Sequence, residues 1–347
     1  RRRANIPRMT SIFSRLSVSI LLALMTALVG AAEDYSPPLT EWGQPDLQGV
    51  WNFSSDVSML RPPEYGERQF LNQQEIDAER GEPIQRLGSR QPIRSANGAE
   101  AFYNDNIWVE NRGGSGNVQT SLVVHPENGQ LPTLVSGIVH EPGGERDTAG
   151  TRPVRFTIGG IGRAGPEDRG VSERCIVGFN AGPQLMPSIY NNNVQIIQNR
   201  DHVVILNEMV HDARLVQLGA AEELDPAIGL WSGDSRGYWE GETLVVITQN
   251  FNGLTQSFEG YGSSKHKTLV ERFTRAGAAA IDYEFLIEDP ATFTDSIKVM
   301  LPLTKVEAQL YEYACHEGNY GMANMLRAAR AREASAETDR VADLFRR

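Results

Sequence analysis

The stretch Asn193-Val194-Gln195-Ile196-Ile197-Gln198-Asn199-Arg200-Asp201-His202-Val203-Val204-Ile205-Leu206-Asn207-Glu208-Met209-Val210-His211-Asp212-Ala213-Arg214-Leu215-Val216-Gln217-Leu218 decides the fold class. It holds three short apolar runs, Asn193 to Gln198, His202 to Met209 and Ala213 to Leu218, separated by Asn199-Arg200-Asp201 and by His211-Asp212. Runs of that length, rich in Val and Ile and bounded by turn residues, read as strands of a meander. Downstream, Tyr238 to Thr243 turns into Leu244 to Thr248 as a hairpin. Further strands are predicted at Lys267 to Arg275, Ala280 to Glu288, Ile297 to Thr304 and Ala308 to Ala314. Upstream, Asp46 to Phe53 reads as a first strand, and Thr120 to His125 as another that ends at the turn Pro126-Glu127-Asn128-Gly129. Strand starts spaced about 10 to 15 residues apart, with turn chemistry between, are the pattern of an all-β barrel or sandwich.

The remaining segments decorate that body. Arg61 to Arg112 is polar, with a short helix predicted from Gln73 to Arg80 behind Asn72 as its N-cap. Gly143 to Gly170 is rich in Gly, Arg and Asp and reads as a long mobile loop over an opening. Met322 to Arg332 carries Ala, Leu, Met and Arg at helical spacing, followed by a charged tail from Glu333 that is expected to fray. The expected domains are therefore a leader over 1–32, a barrel over 33–320 and a helix with tail over 321–347.

Composition agrees. The 347 residues include 33 glycines and 18 prolines, which favours turns and short strands over long helices. At 40% hydrophobic and 22% charged residues, a wholly disordered chain and a multi-span membrane protein are both excluded. The formal charge is -11, although the first 31 positions hold five arginines and no acid. An acidic surface of this kind repels phosphate backbones and anionic headgroups, so neither nucleic acid nor membrane is an expected partner of the mature chain. The sequence names no cofactor, although clustered carboxylates could hold a divalent cation such as calcium. The sequence carries no sign of oligomeric state.

The N-terminus has the order of a secretory signal peptide: Arg15, an apolar run from Leu16 to Val29, then Gly30, Ala31 and Ala32 before Glu33 and Asp34. It reads as starting at Met9, with cleavage near Ala31 or Ala32. The alternative, a permanent anchor, is disfavoured because a spanning helix needs about 20 apolar residues. The expected location is periplasmic or secreted. In such an oxidising compartment Cys175 and Cys315, the two cysteines of the chain, read as one disulfide contributing about 4 kcal/mol; two isolated buried thiols are the alternative.

Gly49-Val50-Trp51, placed before a strand, resembles the Gly-x-Trp opening of lipocalins and their calycin relatives. A wider resemblance, from about Trp42 to Gly321, points to a group of exported bacterial β proteins. It is carried by Glu173-Arg174-Cys175, Tyr190-Asn191-Asn192, His211-Asp212-Ala213-Arg214, Gly233-Asp234-Ser235-Arg236-Gly237 with Trp239-Glu240-Gly241, Val270-Glu271-Arg272-Phe273, and Cys315-His316-Glu317-Gly318-Asn319. The resemblance implies a mainly β fold, an antiparallel lipocalin-like barrel with long decorating loops and a C-terminal helix, and supports the cysteine pairing. It transfers no catalytic residues.

Three clusters could carry chemistry. Gly233-Asp234-Ser235-Arg236-Gly237 matches Gly-x-Ser-x-Gly, which in an α/β-hydrolase exposes a nucleophilic serine on a tight turn. The alternative is a glycine-bounded turn, because Tyr238 to Ile247 reads as a hairpin where that motif needs a helix. His211-Asp212-Ala213-Arg214 could supply a base, an orienting carboxylate and an anion clamp. Strand alternation lets only one of the pairs His211/Ala213 and Asp212/Arg214 face inward, and the favoured reading is a surface or rim pair of Asp212 with Arg214 and a His211 hydrogen-bonded in the core. His316 and Glu317 follow Cys315, whose disulfide would hold them against a pocket. Trp51, Trp231, Trp239, Phe251, Phe273 and Tyr283 fall on or beside strands, as an apolar ligand cavity or as ordinary core.

The leading expectation is an exported hydrolase of a small ester or lactone. In one version Ser235 attacks, His316 or His211 acts as base, and Arg236 with backbone amides stabilises the oxyanion. In the other, a histidine or one of the carboxylates Asp212 and Glu317 activates water, with a divalent ion polarising the carbonyl. Arg214, Arg236 and Trp239 are the expected substrate contacts. The alternative is a non-catalytic lipocalin-like protein that binds an apolar small molecule.

Overall fold

The computed structural model describes residues 35–76, 118–140, 160–178, 183–188, 190–219 and 224–344. The expected signal peptide lies outside the described residues, as does most of the expected loop, over 141–159.

Ten strands form one sheet: β1 (Gly49–Asn52), β2 (Val123–His125), β3 (Asn193–Gln198), β4 (His202–Asn207), β5 (Ala213–Leu218), β6 (Asp234–Glu240), β7 (Thr243–Gln249), β8 (Thr268–Gly277), β9 (Ala280–Glu288) and β10 (Ile297–Val306). Their order is β1-β3-β4-β5-β6-β7-β8-β9-β10-β2, and β1 also pairs with β10. Nine strands thus close into a barrel, with β2 laid beside β10 as an extra strand. Closure removes the open edges of the sheet. The architecture is mainly β and consistent with a lipocalin-like fold. One pairing departs from the all-antiparallel expectation: β5 and β6 run parallel, with Val216 opposite Ser235 and Leu218 opposite Gly237. Both strands therefore begin at the same end of the barrel.

Alternation puts one residue in two inside. Along β8 the buried positions are Leu269, Glu271, Phe273 and Arg275. The core gathers Trp51, Phe53, Phe258, Phe273, Tyr283 and Phe285, so most of the interior is filled by large side chains and the strand aromatics Trp51, Phe273 and Tyr283 are packing residues. One end is closed by Trp51. Its Nε1 donates to Leu47 O at 2.9 Å, and the Arg275 guanidinium lies 4.9 Å from its ring centroid. Arg275 also donates to the backbone oxygens of Asp46, Gly277 and Ala278.

Cys175 and Cys315 form a disulfide, with Cα atoms 5.7 Å apart. It packs on Met209 and Val210 and fits a chain that matures in an oxidising compartment. Met209–His211 is a 3-10 turn at the end of β4, with Val210 at φ +60°.

Two expectations are corrected. Ala308 to Ala314 is not a strand: β10 already has β9 on one side and β1 and β2 on the other, so the preceding strand offers it no free edge for a hairpin, and Tyr311 stands exposed. The tail expected to fray from Glu333 instead continues helix α1 (Tyr320–Leu344). Its Ala-rich sequence has high helix propensity, and Arg330 both pairs with Glu333 and donates to the backbone oxygens of Arg163 and Ala164. At Asn72 the expected cap is present: Glu75 N donates to Asn72 Oδ1, and Asn72 N donates back to Glu75 Oε2.

Candidate functional site

Opposite the Trp51 end, the barrel interior holds a polar layer. Arg214 points inward from β5, the strand pattern alternating exposed and buried from Ala213. Its guanidinium grips Glu271 of β8 in a two-point pair, Nη2 to Oε1 at 2.9 Å and Nη1 to Oε2. Tyr283 Oη donates to Glu271 Oε1 at 2.8 Å. Arg214 Nη1 also reaches Thr248 Oγ1 at 3.2 Å, which in turn bonds Ser235 Oγ at 2.8 Å. Burial favours the neutral form of Arg214, yet the adjoining Glu271 carboxylate outweighs it and raises the guanidinium pKa. Burial first, and then the same carboxylate, push the Tyr283 hydroxyl well above its ordinary value.

Above this layer sits a small cavity of about 20 Å³, lined by Val177, Pro183, Gln184, Arg214, Trp231, Ser232, Phe251, Thr255, Lys267 and Leu269. Gln184 Nε2 donates to Asp212 Oδ2 and, at 3.1 Å, to Ser232 Oγ. Ser232 Oγ donates to Asp212 Oδ2 at 2.8 Å. The amide nitrogen of Gln184 must face that carboxylate, which leaves its Oε1 on the other side. Two buried atoms of cavity-lining side chains then have no hydrogen-bond partner: Gln184 Oε1, an acceptor, and Arg214 Nε, a donor.

Lys267, immediately before β8, is 4% exposed. Its Nζ donates to Ser257 O at 3.1 Å and Gln256 O at 3.4 Å and lies 4.7 Å from the Phe251 ring centroid. No carboxylate lies within salt-bridge distance of it among the described residues. Burial brings the ammonium down to about 8, against the opposing pull of Asp289 and Glu271. Asp289 is engaged locally, by Thr292 Oγ1 at 2.7 Å and Ala291 N at 3.1 Å. Phe251 and Lys267 also line a second, outer groove of about 660 Å³, with Lys265 and His266 beside them and, among the described residues, no carboxylate in its lining.

The sequence-derived candidates separate into two groups. Arg214 lines the cavity and Asp212 is bonded to two of its lining residues, Gln184 and Ser232, while His211 is exposed with φ +46°, against the core position expected for it. Ser235 is buried within β6 and bonded to Thr248. The glycines around it serve close strand contact: a Cβ on Gly237 would lie 2.7 Å from Val216 Cγ1, and Gly233, at φ +74°, would meet Gln249 O at 2.6 Å. Arg236 faces outward, ion-paired to Asp234 at 2.8 Å. Trp239 packs against the core. His316 and Glu317 are exposed beside the disulfide. Ser235, His211 and His316 therefore occupy three unlike environments, one buried and two exposed. Among the described residues no group of three or more His, Cys, Asp or Glu side chains gathers as a metal ion would require.

Gln184, Ser232, Lys267 and Glu271 were not singled out as site residues from the sequence, and Tyr283 was named there only for an apolar cavity or core. Glu271 had a signal, since it interrupts the apolar inner register Leu269-x-Glu271-x-Phe273. Lys267 opens the strand predicted from Lys267 to Arg275 and shares the inner register of Leu269 and Glu271, so its inward side was legible but not its role; Gln184 had no signal, because loop residues carry no periodicity. Comparison with protein-family models, curated proteins and solved structures finds no match to this chain.

Proposed function

We propose that the chain is an exported, lipocalin-like binding protein, kin to the β proteins its Gly49-Val50-Trp51 and cysteine segments resemble, and that it takes a small organic anion at the barrel mouth. The observation that carries this reading is Lys267, a buried cation with no carboxylate in contact among the described residues. Burying an ammonium costs several kcal/mol unless an opposite charge compensates it, and a bound anion would supply that charge. Lys265 in the outer groove adds positive potential to an otherwise acidic protein. The groove has the size of a small-molecule site. The interior is too filled by aromatic side chains to favour the wholly apolar ligand expected from the sequence.

Calorimetric titration of the protein with carboxylates of two to eight carbons tests it. Binding is expected at pH 7 and is expected to weaken by about tenfold for each pH unit above 8, as the free ammonium loses its proton. Lys267→Met should abolish it. Absence of binding by every carboxylate, or affinity untouched by Lys267→Met, would remove the reading.

A hydrolytic reading of the same cavity rests on one contact, Ser232 Oγ to Asp212 Oδ2 at 2.8 Å. Ser232 Oγ would add to an ester carbonyl while its proton passes to Asp212, which returns it to the departing alkoxide; water then releases the acyl group by the same relay. Turnover of a short p-nitrophenyl ester, lost in Ser232→Ala and kept in Ser235→Ala, supports this version. Turnover unchanged in Ser232→Ala removes it.

A further inference from the structure

We infer that the outer face of β3, β4 and β5 is where two copies of this chain meet, as a weak two-fold dimer. Register aligns the side chains of that face into rows. Ile197 lies opposite Val204 and Val204 opposite Leu215, and Leu206 has Ala213 beside it. These residues alternate with the core positions Val194, Ile196, Val203, Ile205 and Val216, so they point out of the barrel. Ile197 and Leu215 are 43% and 58% exposed, Ala213 is exposed, and Val204 and Leu206 are half-buried. A sheet face that meets water is normally polar. Farther round the same barrel it is: Glu240, Arg272, Glu284 and Lys298 form a chain of ion pairs across β6, β8, β9 and β10, with Arg272 to Glu284 at 3.6 Å and Glu284 to Lys298 at 2.8 Å. On β3 to β5 both faces are apolar, the pattern of strands covered on two sides.

Charge selects what covers the outer one. The chain carries a formal charge of -11, so two copies repel each other unless they meet where charge is balanced. Three borders of this face are balanced. Arg200 stands with Asp201 in the β3–β4 turn, Arg236 with Asp234 on β6 at 2.8 Å, and Lys305 with Glu307 past β1 at 3.4 Å. Glu208, at the remaining corner, is 9% exposed and accepts from Asn193 Nδ2 at 2.9 Å. A rim that offers both signs at each border complements itself, as a two-fold contact requires. A partner of one charge would meet a like charge at every border. Three strands of six residues present roughly 300 Å², the size of an exposed patch that marks a contact. That is below the roughly 800 Å² per partner of a tight complex, so the pair dissociates on dilution.

Sedimentation equilibrium of the protein from about 1 to about 200 µM tests this. The weight-average mass of wild type should rise from that of one chain toward twice it, and the rise should persist in about 1 M salt because the centre of the contact is apolar. Leu215→Lys buries an unpaired charge at that centre and should weaken association by about tenfold or more, with an unchanged circular dichroism spectrum. Met300→Lys, on the ion-paired wall and 37% exposed, should associate as wild type does. Ile197→Lys repeats the test if Leu215→Lys does not fold. Single-chain mass for wild type across the whole range overturns the dimer, whatever else the face then binds. Association that the folded Leu215→Lys or Ile197→Lys protein keeps at full strength, or that Met300→Lys weakens as much, overturns the assignment to this face.

Discussion

Replacing Lys267 by Met isolates the energetic consequence of burying an ammonium beside the barrel core. In the folded chain this amine titrates at about 8, against an ordinary value of 10.5. Below pH 8 both the folded and the unfolded chain hold the proton, and the full penalty of the buried charge is present. Between 8 and 10.5 the unfolded chain keeps a proton that the folded chain has released, so stability rises with pH in that window. At about 1.4 kcal/mol per pH unit the span amounts to about 3 kcal/mol. Methionine has similar length and no charge, and its neighbours Phe251 and Leu269 are apolar. The Lys267→Met protein is therefore expected to be more stable than wild type by about 3 kcal/mol at pH 7, with the advantage shrinking toward zero near pH 10. Urea unfolding at pH 6 to 10 measures this, and the wild-type-minus-variant difference cancels the other lysines and tyrosines. A difference that stays flat from pH 7 to 10 would refute the claim that Lys267 is a buried cation. Saturating wild type with an anion at 100 times its dissociation constant should recover about 2.7 kcal/mol at pH 7, and should leave Lys267→Met unchanged.

Glu271→Gln leaves Arg214 buried without its charge partner and should cost about 3–5 kcal/mol in urea unfolding; the double replacement Arg214→Met with Glu271→Leu should recover most of that, and a double variant no better than the single one would contradict the pairing. Gly237→Ala forces a Cβ to within 2.7 Å of Val216 Cγ1 and should cost about 1–3 kcal/mol by overpacking the parallel β5–β6 pair; a neutral effect would speak against that pairing. Replacing Cys175 and Cys315 together by Ala should lower stability by about 4 kcal/mol and, because the disulfide packs on Met209 and Val210 beside Asp212, should also weaken anion binding. Intact mass measured with and without reductant checks the starting disulfide.

Much of the barrel was legible because a half-buried strand has to alternate. Asn193 to Gln198 and Ala280 to Glu288 were readable to the residue, and the same rule placed Asp212 and Arg214 on one side of their strand and parted His211 from them. The Gly-x-Ser-x-Gly match around Ser235 was legible as a motif but not as a role. Two glycines flanking a serine satisfy a close strand contact as well as they satisfy a nucleophile turn, and only the neighbours Val216 and Gln249 tell them apart. The candidate cavity was half visible, through Asp212 and Arg214. Gln184 and Ser232 come from loops, where residue type says nothing about which side chains will meet, while Lys267 heads a predicted strand whose alternation gave its side but not its partners.

The order of residues by itself determined that this chain makes short strands with turns between them, that one face of each is apolar, and that the cysteines form an even pair, since these follow from backbone geometry, burial and oxidation chemistry acting locally or in bulk. Closure into a barrel with β5 parallel to β6, and the meeting of Arg214, Glu271, Gln184 and Lys267 at its mouth, were decided only by the tertiary structure. Meetings between segments 30 to 87 positions apart depend on strand order and register. Those are set by the packing of the whole interior and leave no periodic trace in any one segment.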